Sequence, residues 1–261
     1  MDKHLYGPDS AVWKFHCDFS SLVGGLRALV VQSLEPRALA GVVQFSRLKE
    51  DPEKRLTETI DFINTVTFGT FDEIEQAIGH VQNLHSGVQG TDPVTGLEFR
   101  ADDPVLLGFV HNALVESVAT AYRSFHHEVS PEVLDQYVRE MSEFGVLMGV
   151  PRELMPDSFV SLSAYIWRFE TLIVSEDVRA SMSILTELRL SGVVAGALYP
   201  QVLSWIMDSL PVWVQESLGH RPEPLRSLVD RLLLSVGGSI GEVVLPISPR
   251  ERLAREHFGV G

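Results

Sequence analysis

"DDPVLLGFVHNALVESVATAYRSF", residues 102–125, decides how this chain is read. An Asp-Pro pair opens it: the aspartate suits an N-cap, and proline's fixed φ and missing N–H suit the first helical position. No second proline follows before Phe125, so the run predicts a helix of about six turns. Leu107, His111, Leu114 and Val118 recur at helical spacing and share one face, with Val110 and Phe125 nearby. A helix this long and this apolar calls for other helices around it.

The flanking segments repeat the pattern. "DPEKRLTETIDFINTVTF" (51–68) again starts from Asp-Pro, "TFDEIEQAIGHVQNLHSGV" (70–88) places acids in its first turn, and "SPEVLDQYVREMSEFGVLMG" (130–149) runs from Ser130 to a stop at Gly149. "SLVGGLRALVVQSL" ends before Pro36, and Gly24-Gly25 within it predicts close packing against a neighbour. Further helices are expected over "MPDSFVSLSAYIWRFETLIV", over "DVRASMSILTELRL" and around Trp205, Trp213 and Leu232. Two pieces look non-helical: the hairpin-like "GTDPVTGLEFRA" and the tail from about Gly237. No repeat or linker divides the chain. The reading is a single all-α domain over residues 1–261, with roughly ten helices in a globin-like or orthogonal bundle.

Composition narrows the function. A formal charge of −14 argues against nucleic acid or an anionic membrane surface as the main partner. The single cysteine, Cys17, rules out an internal disulfide and a Cys-x-x-Cys-His haem attachment. The N-terminal "MDKHLYGPDS" shows no signal peptide, and stretches such as "VVAGALYPQVLSWIM" are broken by Pro200 short of the ~20 residues a span needs. A soluble, cytoplasmic protein with no membrane span is therefore expected. The C-terminal segment rich in Trp205, Trp213 and aliphatic residues is expected to pack into the core, with a homodimer face as the alternative.

Three polar sets lie on or beside apolar stripes. In 70–88, Ile74, Ile78 and Val81 form the stripe and His85 continues it, whereas His80 swings roughly 140° away toward water. His111 is the second inward histidine. His126 and His127, adjacent at a helix end, are expected on the surface. In 51–68, Leu56, Ile60 and Ile63 form the stripe; Arg55 and Thr59 stack on its flank with Phe62 continuing their line, a pairing suited to an anion or a polar ligand group. By default, each inward histidine is a satisfied core residue and Arg55 belongs to a surface ion pair with Glu53 or Glu58. No His-Glu-x-x-His, Glu-x-x-His pair, Gly-x-Ser-x-Gly or Walker loop is present.

In order along the chain, "LRALVVQSLEPRALAGVVQFS", "DPEKRLTETIDFINTVTFGT", "HVQNLHSGVQG", "GLEFRADDPVLLGFVHNAL" and "LMGVPRELMPDSF" resemble the helical oxygenases that include the latex-clearing (rubber) oxygenases and the MpaB-type oxygenases. The resemblance covers roughly residues 10 to 220. It implies an all-α fold with a haem-sized pocket, a b-type haem, and iron held by one histidine. Carried over by motif, the Arg-x-x-x-Thr pair falls on Arg55 and Thr59. His85 is favoured as the iron ligand, and His111 as a second cofactor-binding or pocket residue. Arg55 is expected to pair with a propionate or polarise a distal ligand. Where the rubber oxygenases carry lysine before the motif threonine this chain has Glu58, a candidate acid or base; where many relatives have His-Pro it has Glu35-Pro36. The implied activity is therefore haem-dependent oxygenation of a small, largely apolar intracellular metabolite with dioxygen or peroxide, rather than rubber cleavage. The alternatives are a non-haem metal at His85 and His111, an apolar-ligand-binding helical protein without redox chemistry, or a non-catalytic interaction protein.

Overall fold

Short-range capping chemistry sets where most of the helices begin. The computed structural model describes residues 3–46, 50–126, 128–188, 193–244 and 247–260. Among the described residues thirteen α-helices follow one another. α1 (Ala11–His16), α2 (Phe19–Ser33) and α3 (Pro36–Phe45) start from Ser10, Asp18 and Glu35, whose side chains each accept a hydrogen bond from a first-turn N–H. α4 (Pro52–Phe68) starts from Asp51, and α5 (Phe71–Ser86) from a capping box in which Thr70 and Glu73 satisfy each other's backbone N–H groups. A two-stranded hairpin, β1 (Gln89–Thr91) and β2 (Glu98–Arg100), leads to α6 (Pro104–Phe125), capped by Asp103. α7 (Pro131–Leu147), α8 (Phe159–Trp167), α9 (Glu176–Glu187), α10 (Val193–Asp208), α11 (Val212–Ser217), α12 (Pro224–Val244) and α13 (Pro249–Phe258) complete the order.

The all-α reading and the hairpin hold, with differences in detail. The sequence reading missed α1, too short to show a period, and α13, a mostly hydrophilic helix within the supposed irregular tail. α12 runs on through Gly237 and Gly238 to Val244, where an irregular tail was expected. α8 stops at Trp167, earlier than its apolar run suggested. Gly149 takes φ +100° and ends α7 as expected, since a left-handed φ is strained for any side chain with a Cβ.

α6 is the axis of the protein. One apolar cluster, with Leu26, Phe109, Ile166, Trp205, Ile206 and Leu234, lies to one side of it; a second, with Phe15, Ile74, Tyr137, Met141 and Leu162, lies to the other. Trp205 is a core residue, whereas Trp213 is part-exposed. α6 is long and apolar enough to cross a membrane by length and composition, contrary to the expectation that no stretch reaches that length, but most of it is buried within the protein.

The α2–α6 crossing is tight because of one glycine. A Cβ placed on Gly24 would fall 2.5 Å from Val118 Cα and 2.9 Å from the Ser117 carbonyl oxygen, both backbone atoms that cannot turn aside. Beside this contact the buried Arg27 guanidinium donates to Glu116 (2.5 Å), to the Ser117 hydroxyl (2.7 Å) and, through Nε, to Ser209 on the other side (2.9 Å). A buried ion pair of this kind is tolerable because its remaining donors and acceptors are also matched; Glu116 takes a further bond from Thr120.

α4 departs most from its predicted stripe. Only its C-terminal turn, Thr65–Phe68, is buried. Leu56 packs partly against the first cluster, while Ile60 is left 38% exposed. Periodicity identifies a face of a helix; it does not supply the neighbour that covers it.

Candidate functional site

The N-terminal half of α4 carries Arg55 and Thr59, four residues and about one turn apart. Arg55 Nη1 donates to Thr59 Oγ1 (2.6 Å), and that hydroxyl donates back to the Arg55 carbonyl (2.9 Å). Thr59 thus holds the guanidinium against the helix, and Arg55 is engaged with Thr59 rather than in the ion pair with Glu53 or Glu58 that a surface arginine suggests. Glu58 is exposed.

His85 sits near the end of α5 and is half-buried. Ile74 and Ile78, earlier on its stripe, are buried, and His80 is exposed, as the helical period predicts. Burial lowers the pKa of His85, and the positive charge of Arg55 lowers it further, while Asp102 pulls the other way. Three elements therefore bring an arginine, an imidazole and a carboxylate within electrostatic reach. Among the described residues nothing hydrogen-bonds to the His85 ring, so a neutral imidazole is left with its nitrogens available.

Asp102 went unnoticed in the sequence, as did the device that holds it. Arg100, at the end of β2, donates through Nε and Nη2 to the two Asp102 oxygens, 2.9 Å each, and this pair keeps the carboxylate ionised. The hairpin delivers that arginine. Asp92 caps its turn by accepting from the Thr95 N–H (2.7 Å), and Gly90 leaves room for the Phe99 ring, which would lie 3.1 Å from a Cβ there. Of the glycines after His85, Gly90 thus serves hairpin packing, and Gly87 caps α5. The only hint in the sequence was that an acid precedes the helix-opening Asp103-Pro104 pair.

His111 is a different kind of residue. It is 7% exposed, and burial pushes its pKa down to about 4. Its ring packs on Phe144 (5.5 Å between centroids), and Nε2 is 3.0 Å from the point a Gly145 Cβ would occupy, with Met155 Sδ 2.7 Å from the same point. α7 therefore packs its Gly145 backbone against Nε2, while Nδ1 is sealed from water and has no partner. Phe62 on α4 also meets Phe144 (5.8 Å), so an aromatic path connects the Arg55–Thr59 line to His111.

Two further residues have partners that the sequence did not show. His126 reaches the surface, as expected, but is not free: its ring stacks on Tyr122 (4.2 Å) and Nε2 lies 2.9 Å from Asp18, the carboxylate that caps α2. His127 lies outside the described residues. Glu35 is fully buried; it caps α3 and accepts from Arg37 Nε (2.7 Å) and from the Thr171 hydroxyl. Near it, a cavity of about 530 Å³ is lined by Arg37, Tyr165, Arg168, Phe169 and Glu170, and none of Arg55, Thr59, His85 or His111 lines it.

Fold and site together define an all-α protein in which an arginine–threonine pair and a carboxylate flank one available imidazole. The chain belongs to the family described as ER-bound oxygenase mpaB/B'/Rubber oxygenase, catalytic domain, whose model matches residues 13–237. Membership in that family assigns it, in general class, to the oxygenases. No curated protein and no solved structure gives a significant match.

Proposed function

We propose that the chain is a haem b-dependent oxygenase that acts with dioxygen on a small, largely apolar metabolite, with His85 as the residue that would hold the iron. The observation that carries this reading is the His85 imidazole, biased toward its neutral form and without a hydrogen-bond partner among the described residues, beside the Arg55 cation. Haem ligation asks the protein for one neutral imidazole whose other nitrogen is hydrogen-bonded, an apolar slot and a cation for the propionates; of these, the described residues supply the imidazole and the cation. A bare ion asks for more. Among the described residues no group of three or more His, Cys, Asp and Glu side chains could hold one, whereas a porphyrin brings its own nitrogen donors.

Bound at His85, the haem would supply one-electron redox chemistry and a position for dioxygen. The chain's own residues do the rest. Arg55, fixed by Thr59, pairs with a carboxylate of the cofactor or orients a polar group of the substrate. Asp102, held by Arg100, offsets the acidifying effect of Arg55 on His85 and so keeps the ring basic enough to donate its lone pair. Glu58, exposed beside Thr59, exchanges protons with solvent. His111 and Phe144 form a water-poor wall. Ile60, 38% exposed and next to Thr59, and Leu84, 58% exposed and next to His85, are apolar surface of the kind a macrocycle or apolar substrate covers.

The test is absorbance of the purified chain titrated with haem. A Soret band that His85→Ala abolishes and added imidazole restores is expected, with weaker haem retention in Arg55→Ala. An unchanged spectrum in His85→Ala would sink the assignment.

A further inference from the structure

A second chemically distinctive centre lies between α1, α4 and α7, outside the candidate site. His16 ends α1 with both ring nitrogens engaged: Nδ1 is 2.7 Å from Thr67 Oγ1 and Nε2 is 3.0 Å from the Tyr137 phenol. Thr67 donates its own hydroxyl proton to the Ile63 carbonyl (2.8 Å), so its oxygen accepts from His16 Nδ1–H. That fixes the tautomer by elimination: Nε2 carries the lone pair, and the Tyr137 hydroxyl donates to it. Tyr137 is fully buried, and burial holds its phenol protonated.

The Tyr137 ring is one end of an aromatic stack. It lies 4.4 Å and 16° from Phe15, which lies 3.9 Å and 9° from Tyr122, which in turn stacks at 4.2 Å on His126. His126 faces Asp18, and its side chain is 38% exposed, so the stack reaches the surface there. In the other direction α7 carries Met141 and Phe144 on from Tyr137, one and two turns away, and Phe144 meets Phe62 on the Arg55–Thr59 line. A fully hydrogen-bonded phenol–imidazole pair thus lies between the candidate site and the surface.

We infer that Tyr137 and His16 form a redox-active tyrosine centre that takes up an oxidising equivalent from the oxygenase site and passes it along the Phe15–Tyr122 stack to the surface. In the step, Tyr137 loses one electron to a one-electron oxidant of the kind that dioxygen chemistry generates when substrate is absent. The phenolic O–H bond breaks and its proton forms an N–H bond at His16 Nε2, leaving a neutral tyrosyl radical hydrogen-bonded to an imidazolium. Both imidazolium N–H groups then have acceptors, Thr67 Oγ1 and the radical oxygen, so no new buried polar group is orphaned by the transfer. An electron returning through Tyr122 from a diffusible one-electron reductant of the thiol or ascorbate class at the surface restores Tyr137, and the proton goes back from Nε2. Phe15 is not itself oxidised; it couples the two phenols. The function is protection: the equivalent is spent at the surface instead of on buried sulfur such as Met141, which would become a polar sulfoxide in the core.

The inference rests on the oxygenase reading only for the source of the oxidant, and the test supplies its own. Full-length chain without haem is oxidised by flash photolysis with tris(bipyridine)ruthenium and persulfate, frozen, and read by electron paramagnetic resonance. Wild type is expected to give a long-lived neutral tyrosyl signal with a strongly coupled exchangeable proton that disappears in D2O. Tyr137→Phe should lose the long-lived signal, and Tyr122→Phe should keep it with slower decay. His16→Gln should lose the solvent isotope effect on its formation. The idea is overturned if Tyr137→Phe retains the signal, if oxidised wild type yields only Met or Cys products, or if the radical shows no exchangeable coupling. The last two outcomes are read on wild type and stand even if a variant does not fold. Failure of haem binding at His85 leaves this result untouched, and failure here leaves the haem assignment untouched.

Discussion

Gly24 and Gly25 are neighbours on α2, yet replacing each with alanine should move stability in opposite directions. At Gly25 a Cβ meets nothing within 4 Å. Alanine there gains helix propensity and restricts the unfolded chain, a gain of about 0.5–1 kcal/mol. At Gly24 the same methyl would sit 2.5 Å from Val118 Cα and 2.9 Å from the Ser117 oxygen, about 1 Å inside ordinary contact. These are backbone atoms of α6, so the two helices must separate. Overpacking of this kind costs about 1–3 kcal/mol, and a rigid backbone contact belongs at the upper end. Separation also stretches the Arg27–Glu116 bond in the same crossing, which adds to the cost. Against a propensity gain of about 1 kcal/mol, the net loss at Gly24 is about 2 kcal/mol. At roughly 2–4 °C per kcal/mol for a chain of this size, Tm should fall by about 4–8 °C in Gly24→Ala and rise by about 2 °C in Gly25→Ala. Scanning calorimetry and urea unfolding of the two variants beside wild type measure this. Equal effects at the two positions, or a Gly24→Ala protein as stable as wild type, would refute the close-approach argument.

Other consequences follow from the same geometry. Glu116→Gln leaves the buried Arg27 charge unpaired and should destabilise by about 3–5 kcal/mol, whereas Arg27→Met with Glu116→Leu should cost less than either single change; urea midpoints decide. Asp102→Asn should lower the His85 pKa and Arg55→Met should raise it, read by NMR titration of the His85 ring in haem-free protein; shifts of the same sign in both would contradict the arrangement. His16 and His111 are buried neutral with pKa values of about 4, below the ordinary 6.5. Between those values the unfolded chain binds more protons, so stability is fully present above pH ~6.5 and falls as pH drops toward ~4, by on the order of 3 kcal/mol per histidine. His111→Gln should remove about half of that slope in unfolding measured across the window, because one of the two titrating groups is gone.

Helix starts were legible because a cap is a transaction among residues three or four apart: Asp51-Pro52, Thr70 with Glu73 and Asp103-Pro104 all behaved as their local chemistry requires. The Arg55–Thr59 pair was legible for the same reason, being one turn apart on one helix. The separation of His85 from His80 followed from the helical period alone. Asp102 was not legible, because its link to His85 runs through a hairpin whose pairing and arginine clamp are set by contacts across the strand. Nor was the Tyr137–His16 bond, whose partners are 121 residues apart. α12 misled through Gly237 and Gly238: each glycine weakens a helix by only about 1 kcal/mol, which tertiary packing can outweigh.

By itself the sequence determined the all-α class, the helix boundaries set by caps, the family, and a shortlist of polar groups on apolar faces. All of these depend on spacing along the chain. The tertiary structure decided which of those groups have partners. It packed α7 against His111 Nε2 and sealed its Nδ1, left the half-buried His85 ring open between Arg55 and Asp102, and buried the Tyr137 phenol against His16. Two inward histidines look alike along their helices. What separates them is the neighbouring helix, and whether it offers a glycine backbone packed against the ring nitrogen or leaves that nitrogen free.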